Sequence, residues 1–73
     1  MTAVEMFNAL GYRLIINKPF HVLYENKYGF HVEFMERNYK WVVRVEDENN
    51  IAINIDDDLL NAVIKQYEEL CAN

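Results

Sequence analysis

The sequence is poor in the residue types that mark several common classes of protein. Its single cysteine, Cys71, excludes an intramolecular disulfide and a zinc site built from several cysteines. Its two glycines, Gly11 and Gly29, are isolated, so no glycine-rich phosphate loop is present. Serine is absent and Thr2 is the only threonine, which leaves no suitable hydroxyl nucleophile. We therefore expect a protein that is not an enzyme and that uses no cofactor.

Basic charge is also scarce. The chain has 7 lysines and arginines against 12 aspartates and glutamates, for a net charge of −5. This is the wrong sign for holding a phosphate backbone, so we expect no nucleic-acid partner. No apolar run approaches the length of a membrane span, and the first residues do not resemble a signal peptide. These features predict a soluble, cytoplasmic protein without membrane contact.

The composition is that of a packed domain. Of the 73 residues, 52% are hydrophobic and 14% are aromatic, which is unlike a disordered chain. A chain of this length is near the lower limit for a self-sufficient core, and no repeat or linker divides it. We expect a single domain over residues 1–73.

The first residues are typical of a capped helix. Thr2 and Glu5 have the spacing of a capping box, in which each side chain accepts a hydrogen bond from the other residue's backbone. Gly11 supplies a left-handed stop, so the pattern predicts a helix over residues 2–10. Its apolar stripe consists of Met6, Phe7 and Leu10.

From Tyr12 the hydrophobic period changes to two, which predicts β-strands. The first strand would place Tyr12, Leu14 and Ile16 on one face and Arg13 and Ile15 on the other. The faces that carry most aromatic residues would form the core.

Turn residues predict how the later strands pair. A three-residue loop with Gly29 left-handed is expected between the second and third strands. A two-residue loop at 37–38, with Asn38 left-handed, and a three-residue loop at 47–49 would follow. Trp41 is then expected to be a buried anchor. The predicted pairs are Tyr24 with Val32, Val22 with Phe34, Phe34 with Trp41, and Val45 with Ile51.

Three successive aspartates, Asp56, Asp57 and Asp58, separate the last strand-like run from a helical one. Consecutive carboxylates at a helix start point in different directions, so they cannot converge on one metal ion. Asp56 can instead cap the first helical turn. We predict a helix and no metal site. The expected apolar positions of this helix are Leu59, Leu60, Val63, Ile64, Tyr67, Leu70 and Cys71.

These elements predict an α+β fold. The expected order is a short N-terminal helix, an antiparallel β-meander of four to five strands and a C-terminal helix. Both helices would pack on the aromatic face of the sheet.

The opposite, outer face of the sheet carries more apolar residues than a solvated face requires. Scattered surface hydrophobes are one interpretation, and a patch for self-association or for a protein partner is the other. The residues of this candidate interaction face are Ile15, Leu23, Glu25, His31, Met35, Val42 and Arg44. The acidic turn residues Asp47 and Glu48 would extend it.

His31 is expected to lie between Glu25 and Arg44 on the outer face. A histidine beside a carboxylate is compatible with general-base catalysis. Because no nucleophile is expected nearby, a cross-strand row that stabilises the sheet is the favoured interpretation. Two histidines without paired cysteines also argue against a transition-metal site.

The stretches MTAVEMFNALGY and INIDDDLLNAVIKQYEEL resemble small proteins encoded in phages and prophages of Gram-positive bacteria. In that group a helix ending in Leu-Gly-Tyr precedes a β-meander, and a helix with the pattern Leu-x-x-(Ile/Val)-x-x-Gln-x-x-Glu-Leu follows an acidic cap. The matching positions of the second pattern are Leu60, Val63, Gln66, Glu69 and Leu70. The middle of the chain agrees by pattern only, and Cys71-Ala72 stands where the group has Gly-Trp.

The resemblance implies a phage or prophage accessory protein, a class that often acts by binding a host protein. We therefore expect a small acidic protein that binds a protein partner, from host or phage, without catalysis. A weak symmetric homodimer is also expected. Two alternatives stay open: an acidic inhibitor that mimics nucleic acid to block a host nuclease or polymerase, and a structural homo-oligomer with no catalytic role.

Overall fold

The computed structural model describes residues 1–72, so Asn73 of the expected domain lies outside the described residues. Within this range the elements are α1 (Ala3–Ala9), β1 (Tyr12–Lys18), β2 (His21–Asn26), β3 (His31–Arg37), β4 (Lys40–Glu46) and α2 (Asp57–Cys71). The strands form one antiparallel sheet in the order β1-β2-β3-β4. The predicted α+β class is confirmed, with four strands and not five.

Helix α1 begins at the predicted capping box. The Thr2 hydroxyl oxygen accepts from the Glu5 N–H at 3.2 Å, and the Glu5 carboxylate accepts from the Thr2 N–H at 2.7 Å. The hydrogen bond from the Thr2 N–H, with a smaller contribution from the Thr2 hydroxyl, lowers the pKa of Glu5 below its ordinary value. Gly11 has φ +87°, the left-handed stop that the sequence predicts.

The β2–β3 hairpin has the predicted register, with Tyr24 opposite Val32 and Val22 opposite Phe34. Gly29 takes the left-handed position at φ +84°. A Cβ atom at this position would lie 2.8 Å from the Glu48 side chain, so a close approach also favours glycine here.

The β3–β4 register differs from the prediction by two residues. The reversal is a two-residue turn at Asn38 and Tyr39, with φ +52° and +64°, one residue later than expected. Phe34 therefore lies opposite Val43 and not opposite Trp41. A one-residue change in loop position shifts the pairing by two, so the same side chains still face the core.

Of the two strand numbers that the sequence left open, the described residues show four. The chain after β4 forms an isolated bridge between Glu46 and Ala52, and the Ile53 N–H donates to the Val45 carbonyl at 3.2 Å. The left-handed loop residue is Asn50 (φ +63°), not Asn49. The expected pairing of Val45 with Ile51 is shifted in consequence.

A β-bulge also changes β1. Leu14 lies opposite Tyr24 and Ile16 opposite Leu23, which leaves Ile15 as the extra residue. Ile16 consequently shares the outer face with Leu23, contrary to the predicted alternation.

The core lies between the two helices and the inner sheet face, as the sequence predicts. Phe7 of α1 stacks on Tyr24 of β2, with ring centroids 3.9 Å apart. Trp41 is only partly buried at the edge of this core, so its assignment as a central buried anchor is wrong. The buried apolar residues are Ala3, Phe7, Tyr12, Val22, Tyr24, Val32, Phe34, Leu59 and Ala62.

Candidate functional site

Helix α2 has two different flanks beside its buried face. On one flank the Glu69 carboxylate accepts from the Ala3 N–H of α1 at 2.8 Å. On the other, Leu60, Ile64 and Tyr67 recur at helical spacing and are 42%, 46% and 48% exposed. We call these three residues the α2 stripe. Tyr67, the last residue of the α2 stripe, lies near Trp41 at the start of β4.

The sheet surface on that side is incompletely covered. Trp41 and Val43 lie on the inner face of β4, and Val43 is 37% exposed. The helices pack mainly on each other and, through α1, on β1. The inner face of β4 therefore extends beyond the cover that the helices provide.

The space between α2 and the start of β4 is a cleft of about 1080 Å³, which we call the α2–β4 cleft. Its aromatic rings come from the β1–β2 turn, from the β3–β4 hairpin and from α2. Lining residues that bear on its chemistry are Phe20, Tyr39, Lys40, Trp41, Tyr67 and Cys71. Large aromatic anchors of this kind dominate the binding energy of many protein interfaces.

The walls of the cleft continue along both elements. Val43 follows Trp41 on the same strand face, and Ile64 precedes Tyr67 by one helical turn. At the far end a hydrogen bond between the Tyr67 hydroxyl and Cys71 raises the pKa of Tyr67. The cleft itself is mixed in character, since Lys18 and Glu36 line it beside the aromatic rings.

Strand β4 is also an open edge of the sheet. The Val45 carbonyl accepts from Ile53, so the backbone of Val45 points away from β3. Alternate residues of a strand direct their backbone groups the same way, which aims those of Trp41 and Val43 outward as well. Over residues 1–72 nothing on that side hydrogen-bonds to these outward groups. The segment 40–44 thus offers unpaired N–H and C=O groups.

Basic side chains lie along the outer side of this edge. Lys40 and Arg44 alternate with the inward-facing residues of β4. In the described part of the chain the two ion pairs each join a histidine to a glutamate, so neither basic residue takes part in one. The edge therefore combines an apolar inner side with a basic outer side.

On the outer face the expected row of Glu25, His31 and Arg44 is wrong. His31 does lie opposite Glu25 on β2, but its neighbour on β4 is Glu46, and Arg44 lies opposite Glu33. The displaced β4 register causes the change. His31 Nε2 lies 3.1 Å from Glu46 Oε1, and its Nδ1 lies 3.3 Å from a backbone carbonyl oxygen.

An ion pair also divides the apolar residues of the candidate interaction face. His21 Nε2 lies 2.7 Å from Glu33 Oε2, on the diagonal between two cross-strand rows. Leu23 lies on one side of this pair, and Met35 and Val42 lie on the other. Glu25 and Arg44 are exposed at the borders. The exposed fractions of the outermost apolar residues are 50% at Ile15 and 38% at Val42.

Two of the acidic residues identified in the sequence accept hydrogen bonds from backbone N–H groups. Asp56 Oδ1 accepts from the Leu59 N–H at 2.9 Å and caps α2 as predicted. Asp47 Oδ1 accepts from the Asn49 and Ile51 N–H groups at 2.8 and 3.0 Å, which closes the loop after β4. In the range 1–72 no group of three or more His, Cys, Asp or Glu side chains could hold a metal ion.

Sequence reasoning missed the α2–β4 cleft because it assigned every apolar position of α2 to the core. The structure exposes Leu60, Ile64, Tyr67 and Cys71 instead. A signal was present: these positions widen the apolar arc of α2 beyond the stripe of about 100° that is typical of a helix with one buried face. Gln66 was also missed, although it is buried.

Comparisons with known proteins found no relative: no family model, no curated protein and no solved structure matches the chain. None of the helices described is long and apolar enough to cross a membrane.

Proposed function

We propose that the protein is a small accessory factor that acts without catalysis by binding a protein partner in the α2–β4 cleft. The single observation that carries the proposal is the cleft that brings the aromatic rings of Phe20, Trp41 and Tyr67 together beside the open edge of β4. A groove lined by aromatic rings with a few charged side chains, next to an open strand edge, is suited to a polypeptide partner.

The accessible surface area of the folded chain is larger than that of a typical monomer, which supports binding to a partner. Its accessible area is 5178 Å², against about 4,700 Å² for a typical monomeric protein of this mass. The excess includes the exposed apolar residues of the cleft walls. Contiguous apolar surface of this kind is characteristic of interaction sites.

The net charge and the resemblance of the chain ends narrow the class of partner. A net charge of −5 disfavours nucleic acid, even though aromatic rings and lysines line the cleft. The proposed phage or prophage setting, with a cytoplasmic host or phage protein as the partner, rests on the resemblance alone.

The test is affinity capture from a lysate of candidate host cells with the wild type and two matched variants. Tyr67→Lys places a charge in the α2–β4 cleft, whereas Ile15→Lys places the same charge on the outer face. The two residues are 48% and 50% exposed, so both variants should fold, which a thermal melt checks. We expect proteins that are retained by the wild type and Ile15→Lys and lost with Tyr67→Lys.

Capture that disappears with Ile15→Lys and persists with Tyr67→Lys would move the binding site to the outer face. Identical capture by all three proteins would contradict a role for the α2–β4 cleft.

A further inference from the structure

The open edge of β4 restricts what can fill the α2–β4 cleft. The outward N–H and C=O groups of Trp41 and Val43 require a partner with matching backbone groups at strand spacing. An added strand would lie about 4.8 Å from β4 in the plane of the sheet. That position adjoins the β4 wall of the cleft, so the inward side chains of an extended segment would lie beside Trp41 and Val43.

The side chains of β4 determine the chemistry of that segment. Residues of an added strand alternate between the two faces. Those opposite Trp41 and Val43 would lie on the inner face beside these two apolar residues, whereas those opposite Lys40 and Arg44 would meet basic side chains that take part in neither ion pair. Opposite charges in directly facing positions stabilise a sheet, and like charges destabilise it.

We propose that the α2–β4 cleft binds an extended segment of a protein partner that adds a strand to β4. Its pattern is acidic, apolar, uncharged, apolar, acidic, with the two apolar side chains beside Trp41 and Val43 on the inner face and the two carboxylates facing Lys40 and Arg44. This inference rests on the proposed function and specifies the partner's binding segment.

A second copy of this chain fits the edge less well. The chain's own segment after β4 occupies the edge opposite Val45 and Glu46, so a symmetric pair must be confined to residues 40–44. The symmetric pairing that uses all five residues has its two-fold axis at Val42 and sets Lys40 opposite Arg44 of the second copy, twice. Both facing pairs have like charge, which disfavours this dimer.

The test uses synthetic peptides and the intrinsic fluorescence of Trp41, the single tryptophan of the chain, which lines the cleft. A peptide containing Glu-Val-Thr-Val-Glu is compared with one containing Lys-Val-Thr-Val-Lys. We expect the acidic peptide to bind at least about tenfold more tightly. The double variant Lys40→Glu/Arg44→Glu should reverse this preference.

N-methylated peptides test the hydrogen bonds of the added strand. In the proposed register the valine N–H groups point to β4 and the threonine N–H points away. Methylating the two valine nitrogens should abolish binding, and methylating the threonine nitrogen should leave it nearly unchanged. On the protein, Val43→Pro removes an outward donor without removing a β3–β4 hydrogen bond and should also weaken binding.

Equal binding of acidic and basic peptides, or binding that survives valine methylation, would overturn the proposal. So would self-association of the wild type that Val43→Pro abolishes, because the occupant would then be a second copy. If host proteins are captured in a manner that depends on Tyr67 but neither peptide competes with them, strand addition fails and the proposed function stands. If no capture depends on Tyr67, the proposed function itself fails.

Discussion

At the scale of single residues, one buried polar contact joins α2 to the sheet. The Tyr24 hydroxyl donates to the Gln66 side-chain oxygen at 2.5 Å, and both residues are buried. Burial, with a smaller contribution from the negative charge of Glu69, raises the pKa of Tyr24 to about 12. Burial and Asp56 raise the pKa of Tyr12 in the same direction.

These shifts predict a loss of stability in alkaline solution. In the unfolded chain Tyr24 ionises near pH 10, whereas in the folded protein it stays protonated to about pH 12. Between these values the folded state holds the extra proton, so the free energy of unfolding must fall as pH rises. The contribution of Tyr24 is on the order of 2–3 kcal/mol, complete below pH 10 and lost by about pH 12.

Denaturant melts across this pH range measure the effect. Tyr24→Phe should be less stable than the wild type at neutral pH, since Gln66 loses its partner. As pH rises from 10 to 12, the free energy of unfolding of this variant should decrease less than that of the wild type. The decrease that remains comes from Tyr12. A wild type whose stability is constant from pH 10 to 12 would contradict the burial of Tyr24.

Two aromatic residues of neighbouring strands should differ in their contribution to stability. Phe34 is fully buried, whereas Trp41 lies at the cleft and is partly exposed. We expect Phe34→Ala to cost about 3–5 kcal/mol and Trp41→Ala about 2 kcal/mol. Thermal or urea unfolding measures both. If Trp41→Ala destabilised the protein more than Phe34→Ala, Trp41 would be the central core residue of the two.

At the scale of elements, the turn between β3 and β4 determines where the edge strand lies. Asn38 and Tyr39 both have positive φ, the conformation of the tightest hairpin turns, in which glycine is favoured at the second position. Tyr39 is 97% exposed, so its ring makes little contact that could offset the backbone strain. The sequence does not predict this turn, because tyrosine is uncommon in the left-handed region.

Tyr39→Gly should therefore stabilise the protein by about 0.5–1 kcal/mol. Tyr39→Ala is the matched control, since it removes the ring and keeps the Cβ atom, and it should give no such gain. Urea unfolding distinguishes the two variants. Destabilisation by glycine would favour the loop at 37–38, in which residue 39 begins the strand.

At the scale of the whole molecule, the chain has one closed side and two surfaces that could meet another protein. Helix α1 and the buried face of α2 close the sheet over β1, β2 and β3. The α2–β4 cleft is open beside them, and the outer face carries separated apolar residues. The cleft is concave, whereas the outer face is crossed by two histidine–glutamate ion pairs.

The expected weak dimer through the outer face remains a prediction. Leu23→Lys with Val42→Lys should give a monomer with an intact fold, because both side chains lie on the side of the sheet away from the core. Sedimentation of the wild type and the double variant at high concentration measures the difference. A strictly monomeric wild type would remove the dimer, and loss of folding in the variant would show that these side chains support the sheet.

The sequence by itself determined the features that depend on near neighbours in the chain. The Thr2–Glu5 capping box, the left-handed glycines, the Asp56 cap and the β2–β3 hairpin follow from contacts within a few residues. Strand alternation then sorted most side chains between the two faces, which was sufficient for the α+β fold with both helices on one side.

Only the tertiary structure decided the register of β4, the bulge at Ile15 and the position of α2. A hairpin loop that moves by one residue shifts its register by two, so every side chain keeps its face and the hydrophobic pattern is satisfied either way. Likewise, the apolar arc of α2 fits several rotations of the helix. Its contact with α1 through Glu69 and with Tyr24 through Gln66 selects one of them. That rotation leaves the α2 stripe exposed, because a side chain's cover depends on which distant element packs against it.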